Sequence, residues 1–228
     1  MKEFIIVGGP GRAGTTTTAT YLHLSNEIFS FTGGEKSQCS EDFEHFVSVQ
    51  IPTIARFGSK NNDKMVEFFK TKNEDHRSGI IDKYPYLARK MEHVELSTDR
   101  LFFFENIGYP IKFIFCMRRD FHNLFRSRIH DEDKEDFTLN CLESMREMQR
   151  IAKIYPSCCI DVSETPQEDY KRVDSMLGLE PSVWQKWFRE NNPAANWRTY
   201  KKSAPKLPDE LSVPLVDMYD ETRKILCL

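Results

Sequence analysis

The stretch Phe4-Ile-Ile-Val7, followed by Gly8-Gly9-Pro10-Gly11-Arg12-Ala13-Gly14 and then four consecutive threonines, Thr15 to Thr18, constrains the fold more than any other part of the chain. A short apolar run ends in a glycine cluster and passes into a segment of helical spacing. That order predicts strand, tight turn and helix N-terminus. Unpaired N–H groups and the positive end of the helix dipole then converge near Gly14 to Thr17, where a tetrahedral anion can sit. Glycine lets the backbone approach such an anion closely and adopt φ > 0. Threonines are poor helix formers, so their use there is local: hydroxyls at a helix start cap N–H groups or contact a phosphate. Thr15 and Thr16 are the best placed for that contact.

Gly9 and Gly14 have the separation of the nucleotide-binding P-loop, G-x-x-x-x-G-K-[ST], but Thr15 stands where that motif has lysine. The cation lies inside the loop instead, as Arg12. A chain lacking the lysine that reaches the β- and γ-phosphates is poorly suited to ordinary NTP chemistry. The pattern G-x-x-[RK]-x-G-T-T after a first strand resembles the 5′-phosphosulfate loop of sulfotransferases that use 3′-phosphoadenosine 5′-phosphosulfate (PAPS). That resemblance implies Gly11, Arg12, Ala13, Gly14, Thr15 and Thr16 as cofactor-binding residues.

A second motif follows the strongest strand. Ile111-Lys-Phe-Ile-Phe-Cys-Met117 is apolar on both faces, as an internal parallel strand is, and ends directly in Arg118-Arg119. Open α/β sheets bind ligands at this edge. The family's 3′-phosphate motif has arginine at a strand end and serine eight residues later, which Arg119 and Ser127 match. A planar guanidinium suits phosphate because it donates paired charge-assisted hydrogen bonds. The family often has proline two residues after the arginine, and Phe121 occupies that place here.

The catalytic expectations rest on the same resemblance. Several sulfotransferases place a glutamate about twenty residues after the loop threonine, where Glu35 stands. It would accept the acceptor's proton as the acceptor attacks sulfur. A histidine base, as in the cytosolic branch of the family, stays open, with His76 and His130 the first alternatives. Asp82-Lys83-Tyr84-Pro85-Tyr86 resembles the family's E-K-x-P-x-Y element and implies that Lys83, with Arg12, stabilises charge on the transferring group or the departing phosphate oxygen. Near the C-terminus the basic, aromatic segment Asn196 to Lys202 matches the position of a loop that covers the nucleotide. The sequence does not choose among Arg198, Lys201 and Lys202, nor between adenine stacking and core packing for Trp197 and Tyr200.

The remaining segments complete an α/β order. A short extended segment precedes Gly33-Gly34. Gly79 to Tyr86 reads as a strand ending at Pro85, Lys134 to Tyr155 as an amphipathic helix, and Ser157 to Val162 as a buried strand. A helix through Val173 and Leu177 ends at Gly178, and a final helix spans Val213 to Leu226. The expected architecture is one domain over residues 1–228, a mostly parallel central sheet flanked by helices, similar to P-loop NTPases and sulfotransferases.

Composition bounds the partners. The net charge is −3, from 32 basic and 35 acidic residues, so nothing steers the chain to nucleic acid or a heavily sulfated polymer. No apolar stretch has membrane-spanning or signal-peptide length, and a cytoplasmic protein is expected. The six cysteines show no C-x-x-C spacing, so no metal site is expected and buried thiols are. The function implied is sulfuryl transfer from PAPS to a hydroxyl or amine of a small-molecule or glycan acceptor, leaving adenosine 3′,5′-bisphosphate. The rivals are a P-loop kinase, or another nucleotide phosphotransferase, and a non-catalytic nucleotide-binding protein of the same fold. Acceptor identity and oligomeric state are not written in the sequence.

Overall fold

In a computed structural model the described residues are 3–15, 18, 22, 28–31, 86–92, 110–128, 133–164, 166–179 and 206–227, with the backbone alone described for 29–31, 86–92 and 166. Five strands form one sheet: β1 (Glu3–Gly9), β2 (Ile28–Phe31), β3 (Tyr86–Glu92), β4 (Ile111–Met117) and β5 (Ser157–Asp161). Their order is β2-β3-β1-β4-β5, and every neighbouring pair is parallel. The described helices are α1 (Phe121–Arg126), α2 (Lys134–Ala152), α3 (Pro166–Leu177) and α4 (Asp209–Leu226).

Alternation along the strands builds two cores. Phe4, Ile6, Phe113, Phe115, Met117 and Cys159 face one side, where α1, α2 and α4 cover them with Leu124, Phe137, Met148, Leu215 and Tyr219. Ile5, Val7, Ile114, Cys116 and Ile160 face the other, against Tyr170, Val173 and Leu177 of α3, with Ala13 and Leu22. A strand buried on both faces has no need of alternating polarity, which is why β1 and β4 read as continuous apolar runs.

The expected α/β sheet with flanking helices is therefore the observed one. Three boundaries differ from the sequence reading. A strand occupies Tyr86–Glu92, beginning where the expected strand was to end; Arg89, Lys90 and Glu92 break the apolar pattern that would reveal it. Residues 79–85 lie outside the described residues. Helix α2 stops at Ala152, three residues before Tyr155. Helix α4 begins at Asp209 rather than Val213, with Pro214 inside it.

The strand order fixes where a ligand can enter. From β1 the chain moves outward to β2 and β3 on one side, whereas β4 leads to β5 on the other. Adjacent strands whose connections diverge leave a crevice at their carboxyl ends. Here that crevice lies between β1 and β4, at Gly9 and Met117.

Candidate functional site

Beyond Val7 the backbone of β1 turns sharply in space left by missing side chains. Gly9 has φ +154°, and a Cβ there would lie 2.2 Å from the carbonyl oxygen of Cys116 in β4. Gly14 has φ +103°, and a Cβ would lie 2.8 Å from Cγ2 of Val162. Both positions thus require glycine on two counts, conformation and space. Between them the N–H of Ala13 donates to the carbonyl of Pro10 at 3.1 Å. The N–H of Thr18 donates to the carbonyl of Gly14 at 2.9 Å, the first helical bond, so the N–H groups of Gly14 and Thr15 have no acceptor within that helix. Thr15 is buried. Arg12 is exposed and holds φ +68°, the left-handed region that a non-glycine residue seldom adopts. The turn thus brings N–H groups at a helix start together with an exposed cation, a combination that could hold an anion.

The second segment leaves β4 through Arg118, which is buried, and Arg119, whose side chain is 42% exposed. The backbone N–H of Arg119 donates to Asp161 Oδ2 at 2.9 Å. Its guanidinium donates to Asp220 Oδ2 at 3.2 Å and lies 3.9 Å from Glu164 Oε1. The Asp220 hydrogen bond, then the charges of Asp220 and Glu164, push Arg119 further up from its already high pKa. Glu164 shifts upward through burial and the nearby Asp161 charge. Asp120 then caps α1 by accepting from the N–H of Asn123 at 3.0 Å. Ser127 closes α1, its hydroxyl donating to the Leu124 carbonyl at 2.6 Å.

The two segments meet. A methyl group on Gly11 would lie 3.4 Å from Cζ of Arg128, so the residue after Ser127 sets its guanidinium against the anion loop. Arg128 was missed in the sequence, where it follows the motif without belonging to it. The signal available was a fourth arginine, after Arg118, Arg119 and Arg126, just past the end of so short a helix.

Asp161, at the end of β5, is the other residue missed. Fully buried, its Oδ2 accepts from the Arg119 N–H and from the Tyr219 hydroxyl at 2.7 Å. Its Oδ1 accepts from the N–H and hydroxyl of Ser163, at 2.7 and 2.5 Å, and from the Glu164 N–H at 3.2 Å. Burial and the Asp161 charge push the Tyr219 hydroxyl up and keep it a donor. One carboxylate thereby ties the exits of β4 and β5 to α4 and sets where Arg119 emerges. An aspartate inside the apolar run Cys158 to Val162 was its sequence signal.

Of the expected site residues, Gly11, Arg12, Ala13, Gly14 and Thr15 form the loop after β1, and Arg119 and Ser127 bound α1. Thr16, Glu35, Lys83, Arg198, Lys201 and Lys202 lie outside the described residues, as do His76 and His130. Tyr86, the last residue of the expected Lys83 element, pairs with Glu3 at the end of β1 remote from the loop. Among the described residues no group of three His, Cys, Asp or Glu side chains is arranged to hold a metal ion, and no helix is long and apolar enough to cross a membrane.

No family model matches the chain. The fold is similar to two sulfotransferase domains of known structure. One, from the olefin synthase of Synechococcus PCC 7002, has a TM-score of 0.51 at 13% identity, covering 96% of this chain and 94% of that one. The other, from the curacin biosynthetic pathway, has a TM-score of 0.55 at 12% identity, covering 96% and 98%. The architecture is therefore sulfotransferase-like. In sequence, 119 residues, 51% of the chain, are 28% identical to an adenylate kinase of Prochlorococcus marinus strain MIT 9515, spanning 62% of that protein. The adenylate kinase of Prochlorococcus marinus subsp. pastoris strain CCMP1986 (also NIES-2087 or MED4) matches over 119 residues at the same identity, spanning 61% of its length.

Proposed function

We propose that this chain is a sulfotransferase that moves a sulfuryl group from PAPS to a hydroxyl or amine of a small-molecule or glycan acceptor. The observation that supports the reading is the approach of Arg128 to Gly11, on which a Cβ would lie 3.4 Å from the guanidinium carbon. It brings a glycine loop lacking the P-loop lysine beside the end of the Arg119–Ser127 segment, two elements whose chemistry suits phosphate. A nucleotide phosphorylated at both the 3′ and 5′ positions suits two such elements. The chain's own groups fit it: a glycine cradle that a Cβ would fill, Arg12 at the lip, Arg128 beside the loop, and Arg119 part-exposed at a strand end.

In this reading the loop N–H groups and the Thr15 and Thr16 hydroxyls hold the 5′-phosphosulfate, and Arg12 neutralises the phosphate oxygen from which sulfur departs. Arg119 and Ser127 hold the 3′-phosphate, Arg119 exchanging Asp220 for the ligand. The segment containing Arg198, Lys201 and Lys202 adds charge over the nucleotide. Glu35 accepts the acceptor's proton, a role that rests on the sequence resemblance alone. The resemblance also gives Lys83 the task of stabilising the sulfuryl group in flight, but the pairing of Tyr86 with Glu3 at the far end of β1 stands against it. The reading needs no metal and places the reaction in the cytoplasm.

A P-loop kinase is the second reading, favoured by the adenylate kinase likeness over half the chain. Thr15 in the lysine position argues against it. A thermal-shift panel separates the two: adenosine 3′,5′-bisphosphate without metal stabilises a sulfotransferase, and stabilisation by ATP–Mg²⁺ alone identifies a kinase.

A further inference from the structure

Away from the crevice, helix α4 and strand β5 meet along one seam. Tyr219 and Arg223 on α4 and Cys227 at its C-cap recur every four residues, and Cys159 and Asp161 every two on β5, so each set lies on one face. Tyr219 donates to Asp161; at the far end, Cys227 Sγ lies 3.1 Å from Cys159 Sγ. A disulfide has its sulfurs about 2.05 Å apart, so roughly 1 Å of movement separates the pair from a bond.

Charge at this end favours a thiolate. Nη1 of Arg172, from α3, is 3.7 Å from Cys227 Sγ, and Nη1 of Arg223 is 3.6 Å from Cys159 Sγ. Both arginines also bind the fully buried Asp169, Arg223 through two hydrogen bonds of 3.0 and 2.7 Å. The arginines are held in place before any sulfur ionises. A hydrogen bond from the Cys159 thiol, then the charges of Arg223 and Arg172, lower Cys227 to about 7 against the opposing effects of burial and Asp169. Cys159 moves in the opposite direction, through that hydrogen bond and burial, and keeps its proton. Cys227 is only half-buried, whereas Cys159 is enclosed. Neighbouring Cys158 belongs to the other core, and burial raises it far above the usual thiol range. One cysteine thus has the exposure and charge of an attacking thiol, and the next sulfur resolves it.

We propose that Cys227 and Cys159 are a reversible oxidation site, with Cys227 the attacking and Cys159 the resolving thiol, using a peroxide as oxidant. The Cys227 thiolate attacks one peroxide oxygen, the O–O bond breaks, and the displaced hydroxide takes up a proton to leave as water. The Cys159 sulfur then attacks Cys227 Sγ of the sulfenic acid. The S–O bond breaks, and the departing hydroxide takes the Cys159 proton as a second water. Two thiols and one hydrogen peroxide become one disulfide and two waters, and a dithiol reverses the change. The bond joins β5 to the last turn of α4, closing a separation of 68 residues.

The test uses the full chain. Reduced protein is exposed to stoichiometric hydrogen peroxide, quenched with iodoacetamide and mapped by peptide mass spectrometry. The expected product is a single Cys159–Cys227 linked peptide, two hydrogens lighter, restored by dithiothreitol, with Cys39, Cys116, Cys141 and Cys158 still alkylatable after unfolding. In the reduced protein, the rate at which Cys227 is alkylated should rise with pH about a midpoint near 7. Arg172→Gln, at a side chain 39% exposed, should slow that alkylation several-fold at pH 7 without loss of fold. Oxidation that stops at a Cys227 sulfinic acid with Cys159 still a thiol, or that links Cys159 to Cys158, overturns the proposal. So does a Cys227 alkylation rate unaffected by Arg172→Gln.

Discussion

Arg119 Nη2 stands 3.2 Å from Asp220 Oδ2, so the arginine assigned to the 3′-phosphate already holds a carboxylate from α4. With the Arg119 side chain 42% exposed, the pair is screened by water and worth about 0.2–1 kcal/mol. A phosphate displaces it readily, but at that cost. Asp220→Asn is therefore expected to tighten adenosine 3′,5′-bisphosphate by about 1.5- to 5-fold, read by isothermal titration, and to lower the melting temperature of the free protein by no more than about 4 °C. Weaker binding in Asp220→Asn would mean that Asp220 orients Arg119 instead of competing for it.

Arg12 separates stability from binding. Its φ of +68° disfavours any side chain by about 1–2 kcal/mol, part of which the greater freedom of unfolded glycine cancels. Arg12→Gly should unfold no more easily than wild type and up to ~1 kcal/mol less easily in urea. Arg12→Ala keeps the strain and gains nothing. Both variants should lose about tenfold or more in bisphosphate affinity, as for a lost charge-assisted contact. Strain retained at a residue whose removal harms binding alone is the signature of a functional loop.

Alanine at three glycines should give three different outcomes. Gly9→Ala drives a Cβ to 2.2 Å from the Cys116 carbonyl, so β1 and β4 cannot pair there and folded protein should not be recovered. Gly14→Ala combines φ +103° with a 2.8 Å approach to a Val162 methyl that can shift slightly. It should destabilise by about 2–5 kcal/mol, lowering the melting temperature by roughly 5–20 °C. Gly11→Ala meets only the flexible Arg128 side chain at 3.4 Å and should melt within about 1 °C of wild type.

What could be read from the sequence was whatever a local pattern encodes. β1 and β4 were legible because both of their faces are buried. Helix α2 was legible from Phe137, Cys141, Met145 and Met148 on one face, and the end of α3 from Gly178, at φ +68°. The tight turn after β1 was legible from its glycines, two of which, Gly9 and Gly14, hold positive φ in space too small for a Cβ. What escaped notice depends on long-range pairing. β3 gains its hydrogen bonds from β1 and β2, not from its own composition. Asp161 finds Tyr219 58 residues away, and Arg128 meets Gly11 only once β1 and β4 lie side by side. Nor does spacing reveal that Asp220 claims Arg119.

We propose that the crevice between β1 and β4 binds a nucleotide through two phosphate sites without a metal. The most direct test is isothermal titration, in EDTA, of wild type and Arg119→Ala with adenosine 3′,5′-bisphosphate and with adenosine 5′-monophosphate. The bisphosphate should bind wild type at least ~10-fold tighter than the monophosphate, and Arg119→Ala should remove most of that difference while leaving the monophosphate unchanged. Equal affinity for the two nucleotides, or a preference that survives Arg119→Ala, would contradict the proposal.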